Sequence, residues 1–218
     1  KSCYNKDNLG VPNHSCGLYV TFPWGSVLRP DTFYSVKTAT GWSEPKPHPL
    51  TLGFPTTEFT FSNENKVYFA MDAGKGRDLY YAEKTNEEWS EPQSIDIINT
   101  ENNDEDPYVN SEDNEMFFWS DRPDKFKGND IYRTQKINGI WSKPELLNEP
   151  INSEFEEMQT FLFNNNLYFV SNREGTHSIY KSIRLGENEW GTPEKVIWSK
   201  FAVGEPTLTA DGKYLYFE

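Results

Sequence analysis

The feature that most limits how this chain can fold is a short pattern that occurs four times. In each copy an aromatic residue is followed nine or ten positions later by Trp-x-x-Pro. Subtraction of the positions of Trp42, Trp89, Trp141 and Trp190 gives periods of 47, 52 and 49 residues. Repeats of this length are typical of four-stranded propeller blades rather than of helical or leucine-rich repeats. The spacing therefore predicts an all-β propeller built from four-stranded antiparallel blades.

Each repeat also contains an acidic residue, a hairpin turn and an aromatic strand in the same order. The acids are Glu58, Asp106, Glu157 and Glu205, each 15 to 17 residues after the preceding Trp. A short strand follows each acid, then a turn rich in Asn, Asp, Ser and Gly, then an apolar strand. A blade is covered on both faces by its neighbours, so its middle strands are expected to be apolar throughout. The fourth strand carries the Trp, and its trailing Pro suits an outer edge.

The best copy resembles a known repeat family, the WD40-like (PD40) repeats of TolB-type propellers. Its motifs are Asp106-Pro107, Phe117-Phe118, Ser120-Asp121-Arg122, Gly128, Asp130-Ile131-Tyr132 and Trp141-Ser142-Lys143-Pro144. Partial matches are Glu205-Pro206 with Asp211-Gly212, and Ser171-Asn172-Arg173 with Gly175. The resemblance covers about residues 31 to 217, although the copies at Glu58 and Glu157 lack the Pro. It implies a binding or scaffold module of the bacterial envelope more than an enzyme.

We expect one propeller domain over residues 1–218, with an irregular segment at 1–30 that includes a candidate strand at 17–22. After Trp190 the chain supplies one further hairpin, at 205–217, which needs more strands because a lone hairpin is an exposed sheet edge. Completion by the strands at 31–45 would give four blades. If the strand at 17–22 is instead the second strand of the first repeat, five blades result. We favour five, the last incomplete or completed by N-terminal strands.

The charge balance narrows the choice of partners. The net charge is -13, which repels a phosphate backbone and argues against nucleic acid. An acidic propeller is suited to cations, peptides, glycans or other proteins, although the charge alone also keeps a protein soluble. No apolar run is long enough to span a membrane. We expect a monomer that binds a protein, peptide or glycan.

The two cysteines, Cys3 and Cys16, lie close together near the start of the sequence. They form either a disulfide or two free thiols, and a metal site is a weaker alternative because two further ligands are not visible nearby. A disulfide would place the protein outside the reducing cytosol. Together with the exported character of the family it resembles, this predicts a periplasmic or extracellular location, with envelope anchoring as one form of it.

The four acids are the main candidates for a functional site. In a propeller the innermost strand lines the central channel, so Glu58, Asp106, Glu157 and Glu205 are predicted to converge on one axis. Each acid lies 11 or 12 residues before the final Phe of the next strand, so all four are predicted to lie at the same depth. Four close carboxylates would raise one another's pKa or attract a cation such as Ca²⁺. The alternative is that each acid accepts backbone N–H bonds in the loop that joins its blade to the previous one.

Two arginines and one tryptophan are further candidates. Arg122 and Arg173 either clamp the carboxylate of a ligand or pair with acids of their own or neighbouring repeats. Trp24, Trp119 and Trp198 lie outside the repeat register, and Trp24 is in an insertion that either contacts a ligand or covers one end of the channel. No local motif supports a nucleophilic esterase, a nucleotide site or a zinc protease.

Two functions follow from these candidates. The main prediction is a non-catalytic ligand-binding or protein-binding propeller of the bacterial cell envelope, which needs no cofactor unless Ca²⁺ is bound. The alternative is a glycoside hydrolase that uses channel carboxylates, because carboxylates from different blades can meet over a channel. A hydrolase needs its carboxyl groups at defined separations in an open cleft, so the surroundings of the four acids distinguish the two.

Overall fold

The structure is a computed structural model and describes residues 33–34, 36–47, 50, 56–63, 65–86 and 88–218. Over these residues the protein consists of antiparallel β-sheets and contains no α-helix, which confirms the all-β prediction. The predictions about Cys3, Cys16, Trp24, the segment 1–30 and the strand at 17–22 fall outside the described residues.

The first four strands form the outer half of a blade. Strand β1 (Phe33–Tyr34) pairs with β4 (Lys46–Pro47), and β2 (Lys37–Thr38) pairs with β3 (Gly41–Trp42). This order matches the third and fourth strands of the later repeats, in which the fourth strand also pairs in two short stretches.

Three complete blades follow, in each of which the first four strands pair in chain order; in blades 1 and 2 a fifth short strand pairs with the third. Blade 1 comprises β5 (Thr56–Asn63), β6 (Lys66–Asp72), β7 (Arg77–Thr85), β8 (Glu88–Trp89) and β9 (Gln93–Ser94). Blade 2 comprises β10 (Asp104–Val109), β11 (Glu115–Ser120), β12 (Asp130–Ile137), β13 (Ile140–Trp141) and β14 (Glu145–Leu146). Blade 3 comprises β15 (Glu157–Phe163), β16 (Asn166–Ser171), β17 (Ser178–Ile183) and β18 (Glu194–Ile197).

The prolines of the repeats interrupt the fourth strand without loss of a ladder bond. In blade 2, β12 pairs with β13 at Trp141 and again with β14 at Leu146. Pro144 lies between these two stretches, and Pro92 lies in the same place between β8 and β9. A proline at an outer edge or a break costs no backbone hydrogen bond, as the sequence predicts.

The core between blades is aromatic. The middle strands bury Tyr68 and Phe117 completely, and the Trp of the following blade packs against each of them. The ring centroids of Tyr68 and Trp141 are 5.9 Å apart, and those of Phe117 and Trp190 are 6.1 Å apart, both pairs in edge-to-face geometry. These two repeat tryptophans therefore join successive blades, which explains why they recur in register.

The last strands form a hairpin. Strand β19 (Thr207–Leu208) pairs with β20 (Leu215–Tyr216), and Gly204 and Glu218 extend the ladder with backbone hydrogen bonds of 3.0 and 2.9 Å. Among the described residues β20 pairs with no other strand. The number of blades and the way in which the propeller closes therefore stay predictions.

We expect Trp141→Ala to lower the free energy of unfolding by about 3–5 kcal/mol, because it removes a large ring from the contact between blades 1 and 2. Trp141 is only 8% exposed, whereas Trp42 of the same repeat position is 50% exposed. Trp42→Ala is therefore the control, with an expected loss of less than about 1 kcal/mol. Urea unfolding of both variants measures the difference, and equal losses would contradict the assigned packing.

Candidate functional site

A β-bulge near the start of each innermost strand determines which side chains meet. The pairing of β5 with β6 shifts between Thr57 and Thr60, that of β10 with β11 between Glu105 and Tyr108, and that of β15 with β16 between Met158 and Phe161. The first residue inside each shift has a left-handed backbone. These residues, with the equivalent one before β19, are Glu58 (φ 55°), Asp106 (φ 52°), Gln159 (φ 52°) and Glu205 (φ 52°).

This conformation is unfavourable for residues other than glycine and costs on the order of 1–3 kcal/mol at each position. Bulges of this kind redirect a side chain and increase the local bend of the strand. We call Glu58, Asp106, Gln159 and Glu205, together with Trp119, the bulge site. Three of the four predicted acids thus occupy equivalent positions in the first, second and fourth inner strands, and Gln159 occupies this position in the third.

The prediction that Glu157 lies level with the other three acids is wrong, since Gln159 occupies that position. The error comes from the hairpin turns. In blade 3 the turn is short, because Phe163 already pairs with Asn166. In blade 2 the turn is longer, because Val109 pairs with Met116. A count from the acid to the aromatic strand includes the turn and therefore misplaces the acid by two residues.

Glu157 is instead a buried structural carboxylate. It accepts hydrogen bonds from the backbone N of Ser153 at 2.8 Å, from the Ser153 hydroxyl at 2.8 Å and from the Ser171 hydroxyl at 2.6 Å. Arg173 Nη2 donates a further bond at 3.0 Å. These contacts match the alternative in which an acid accepts a backbone N–H from the connecting loop. Asp104 has the corresponding role in blade 2, where it accepts from the backbone N and the hydroxyl of Thr100.

Arg122 and Arg173 have internal partners. Arg122 donates to Asp104 and, at 3.0 Å, to the carbonyl of Ile98, and its guanidinium lies 4.5 Å from the ring centre of Tyr132. Arg173 donates to Glu157, to the carbonyl of Ile151 and, at 3.0 Å, to that of Pro150. Each arginine therefore ties the loop that enters its blade to an acid of the same blade, which is the second of the two roles considered above.

Asp106 is the most buried acid of the bulge site. Trp119 Nε1 donates a hydrogen bond to its Oδ2, while its Oδ1 is buried and has no hydrogen-bond partner among the described residues. Its backbone N donates to Glu58 Oε2 at 3.3 Å. Burial raises the pKa of Asp106 well above its ordinary value, and the charges of Glu58 and Glu205 raise it further. The three acids therefore share one electrostatic environment.

Glu205 is held by Gln159. Gln159 Nε2 donates to Glu205 Oε1 at 2.7 Å, and the backbone N of Glu205 donates to Gln159 Oε1 at 3.1 Å. Burial, followed by the charges of Glu58 and Glu218, raises the pKa of Glu205 to about 7. A cavity of about 290 Å³ beside this carboxylate is lined by Glu205, Tyr216, Phe217 and Glu218.

Two members of the bulge site were not among the predicted site residues. Gln159 carries no charge and follows no motif, so nothing in the sequence separates it from an ordinary strand residue. Trp119 could be recognised only as one of the tryptophans outside the repeat register. Among the described residues, no group of three or more His, Cys, Asp and Glu side chains is arranged to hold a metal ion. The Ca²⁺ expectation stays a prediction.

Comparison with solved structures supports a propeller fold. TolB from Acinetobacter baumannii, a β-propeller, superimposes with a TM-score of 0.56 at 15% identity, over 85% of this chain and 42% of that chain. A thermostable family-43 glycoside hydrolase gives a TM-score of 0.56 at 13% identity, over 86% of this chain and 75% of that one. The endo-arabinase from Bacteroides thetaiotaomicron VPI-5482 gives 0.55 at 12% identity, over 86% and 80%.

These likenesses are structural rather than sequential. No protein-family model matches the chain, and no curated protein is similar to it in sequence. The chain spans less than half of the length of the TolB structure. Within the part of the chain that the structure describes, no helix has the length and apolar character that a membrane crossing requires.

Glu157→Gln should lower the free energy of unfolding by about 3–5 kcal/mol, because it leaves Arg173 in a buried site without its anionic partner. The matched control is Glu205→Gln, which keeps an oxygen for the amide of Gln159 and removes a charge that is already disfavoured by burial. We expect this control to change the stability by less than about 1 kcal/mol. Urea unfolding at pH 7 measures both, and a Glu157→Gln variant as stable as the control would contradict the structural role.

Proposed function

We propose that this protein is a non-catalytic binding propeller that recognises a cationic group of a protein or peptide at the bulge site. One observation supports the proposal above all others. Glu58, Asp106 and Glu205 come from the starts of different inner strands, the charge of Glu58 raises the pKa of both other acids, and one oxygen of Asp106 is buried without a hydrogen-bond partner among the described residues.

The electrostatics explain why a cation suits this site. Buried carboxyl groups that face like charges hold their protons more tightly, so the raised pKa values of Asp106 and Glu205 reflect an excess of negative potential at the site, although Arg77 interacts with Glu58 and Asp106 from its ion pair with Glu105. A bound ammonium or guanidinium group would favour the ionised carboxylates and release protons. The net charge of -13 would also accelerate the approach of a basic partner.

The surroundings favour an organic cation over a metal ion. Trp119 donates to Asp106, and Tyr216 and Phe217 line the cavity beside Glu205. Aromatic rings beside carboxylates are well suited to the apolar stem and charged end of a lysine or arginine side chain. Ca²⁺ is the alternative cation and would compete for the same oxygens.

Location and assembly belong to the proposal. Export to the periplasm or the cell exterior, with or without an envelope anchor, rests on the resemblance of the repeat motifs to those of TolB-type propellers. A monomer that acts as a scaffold for a partner is the simplest assembly for a recognition propeller.

Hydrolysis of a glycosidic bond is the second candidate function. Carboxyl groups with raised pKa values are what a general acid requires, and two of the structural neighbours are named as a glycoside hydrolase and an endo-arabinase. Asp106 fits this function less well. One of its oxygens accepts from Trp119 Nε1 and the residue is only 9% exposed, whereas a glycosidase holds its carboxyl groups about 5–5.5 Å or about 6.5–9.5 Å apart where the substrate can reach both.

The double variant Asp106→Asn with Glu205→Gln should weaken binding of a trilysine amide about tenfold or more at low salt, because two charge-assisted contacts are lost. Glu101→Gln with Glu112→Gln removes the same charge from exposed positions and is the control. Calorimetry in two buffers of different protonation enthalpy measures both the affinity and the expected proton release.

Equal affinity of the double variant and its control would show that only the overall charge matters and would contradict the proposal. Incubation of the wild type with arabinan and xylan tests the second candidate in the same preparation. Release of reducing sugar that is lost in Asp106→Asn would establish hydrolysis in place of binding. Absence of both peptide binding and sugar release would reject both functions.

A further inference from the structure

A second polar cavity lies between blades 2 and 3 at the opposite end of the inner strands from the bulges. It has a volume of about 250 Å³, and Asn114 and Glu115 line it just after the turn that joins β10 to β11. Lys136 and Ile137, at the end of β12, line another side. The bulge residue of the same blade, Asp106, is at the start of β10, so the two sites are separated by most of the length of a strand.

Positive charge predominates in the lining of this cavity. Arg133, Lys136 and Arg184 contribute three cations, and Glu115 contributes the one anion. Arg184 donates to Glu115 through Nη1 at 3.1 Å and Nη2 at 2.8 Å, and Arg133 Nε donates to the same carboxylate. Two guanidinium groups therefore share one buried carboxylate, in a protein whose net charge is -13. Lys136 is paired with Asp113, which does not line the cavity.

The arginine pair is not a general feature of the repeat. Arg184 occupies the position of Lys84 and Lys136, one basic residue that pairs with the repeat Trp in each blade. Arg133 has no such counterpart: Tyr81 and Lys181 stand at its position in the other two blades. The positions that correspond to Glu115 hold Lys66 and Asn166. The inter-blade packing therefore explains Arg184 but not the buried Arg133.

A carboxylate of the protein itself lies close to Arg133 and Gln135, two residues of the cavity lining. Glu187 Oε1 is 3.9 Å from Arg133 Nη2, and the Glu187 side chain is 77% exposed whereas that of Arg133 is 4% exposed. Gln135, in the amide orientation that satisfies its neighbours, donates to Glu187 at 3.1 Å and accepts from Arg133 Nη2. Glu187 belongs to the loop between Arg184 and Trp190, which is one residue longer than the loops between Lys84 and Trp89 and between Lys136 and Trp141.

We propose that this cavity binds a small carboxylate, and that Glu187 occupies the place of the ligand's carboxylate when the cavity is empty. The ligand would accept hydrogen bonds from the guanidinium fork of Arg133 and from the Gln135 amide, an arrangement that matches the planar geometry of a carboxylate. A cavity of about 250 Å³ has room for a compact dicarboxylate. This site does not depend on the function proposed for the bulge site.

The test uses malonate as the probe and Glu187→Gln as the first variant. Because this substitution removes a competing anion from an exposed ion pair, it should tighten malonate binding about two- to fivefold. Glu189→Gln removes a carboxylate from the same loop and is the control. Its affinity for malonate is expected to equal that of the wild type. Titration followed by the side-chain N–H signals of Arg133 and Arg184 locates the bound anion and gives its affinity.

A second variant and a second anion complete the test. Arg133→Gln should weaken malonate binding about tenfold, because a charge-assisted pair is lost. If Arg133→Gln does not fold because buried Glu115 has lost a partner, the Glu187→Gln result alone decides the test. Inorganic phosphate should bind more weakly than malonate. Equal affinities for the two anions, equal effects of Glu187→Gln and Glu189→Gln, or no response to malonate up to about 10 mM would each overturn the proposal.

Discussion

The arrangement of the functional candidates depends on one backbone feature, the left-handed bulge residue in each innermost strand. In a regular strand, successive side chains point to opposite faces of the blade and therefore pack against the blades on either side. The bulge adds one residue to the inner strand and redirects its side chain, so that residues of different blades contact each other. The contacts are directional: Glu58 accepts from the backbone N of Asp106, and Gln159 accepts from that of Glu205. The bulges at Glu58 and Gln159 thereby help to hold those at Asp106 and Glu205 in their unfavourable conformation.

The same feature separates two classes of acid that look alike in the sequence. Asp104 and Glu157 lie just before the bulges, where loop N–H groups, hydroxyls and an arginine satisfy them. Asp106 and Glu205 lie on the bulges, where burial and like charges raise their pKa values. The first class stabilises the junctions between blades. The second class opposes folding when ionised, which is the kind of local cost that proteins retain at sites of function.

The sequence was sufficient to predict the blades, because the Trp-x-x-Pro pattern recurs at nearly constant spacing and Trp141 and Trp190 fill the same space between neighbours. Of the two alternatives that the sequence suggested for Arg122 and Arg173, pairing with acids of their own repeat is the correct one. The sequence could not place Glu157, since turn length varies between blades and a bulge leaves no mark on the residue spacing. Gln159 was not predicted because it is uncharged and follows no motif, so it could not be told from an ordinary strand residue. The Arg133 cavity was missed because it needs two residues from different blades.

The central claim is that Asp106 and Glu205 meet in one buried, negatively charged site. Titration of the protein labelled with ¹³C at its carboxyl groups, with assignment by Asp106→Asn and Glu205→Gln, tests it directly. Both groups are predicted to titrate above their ordinary pKa values, Glu205 at about 7, and removal of Glu205 is predicted to lower the pKa of Asp106. Titration of both groups at about 4, the ordinary pKa of a carboxyl group, with no effect of one group on the pKa of the other, would contradict this claim.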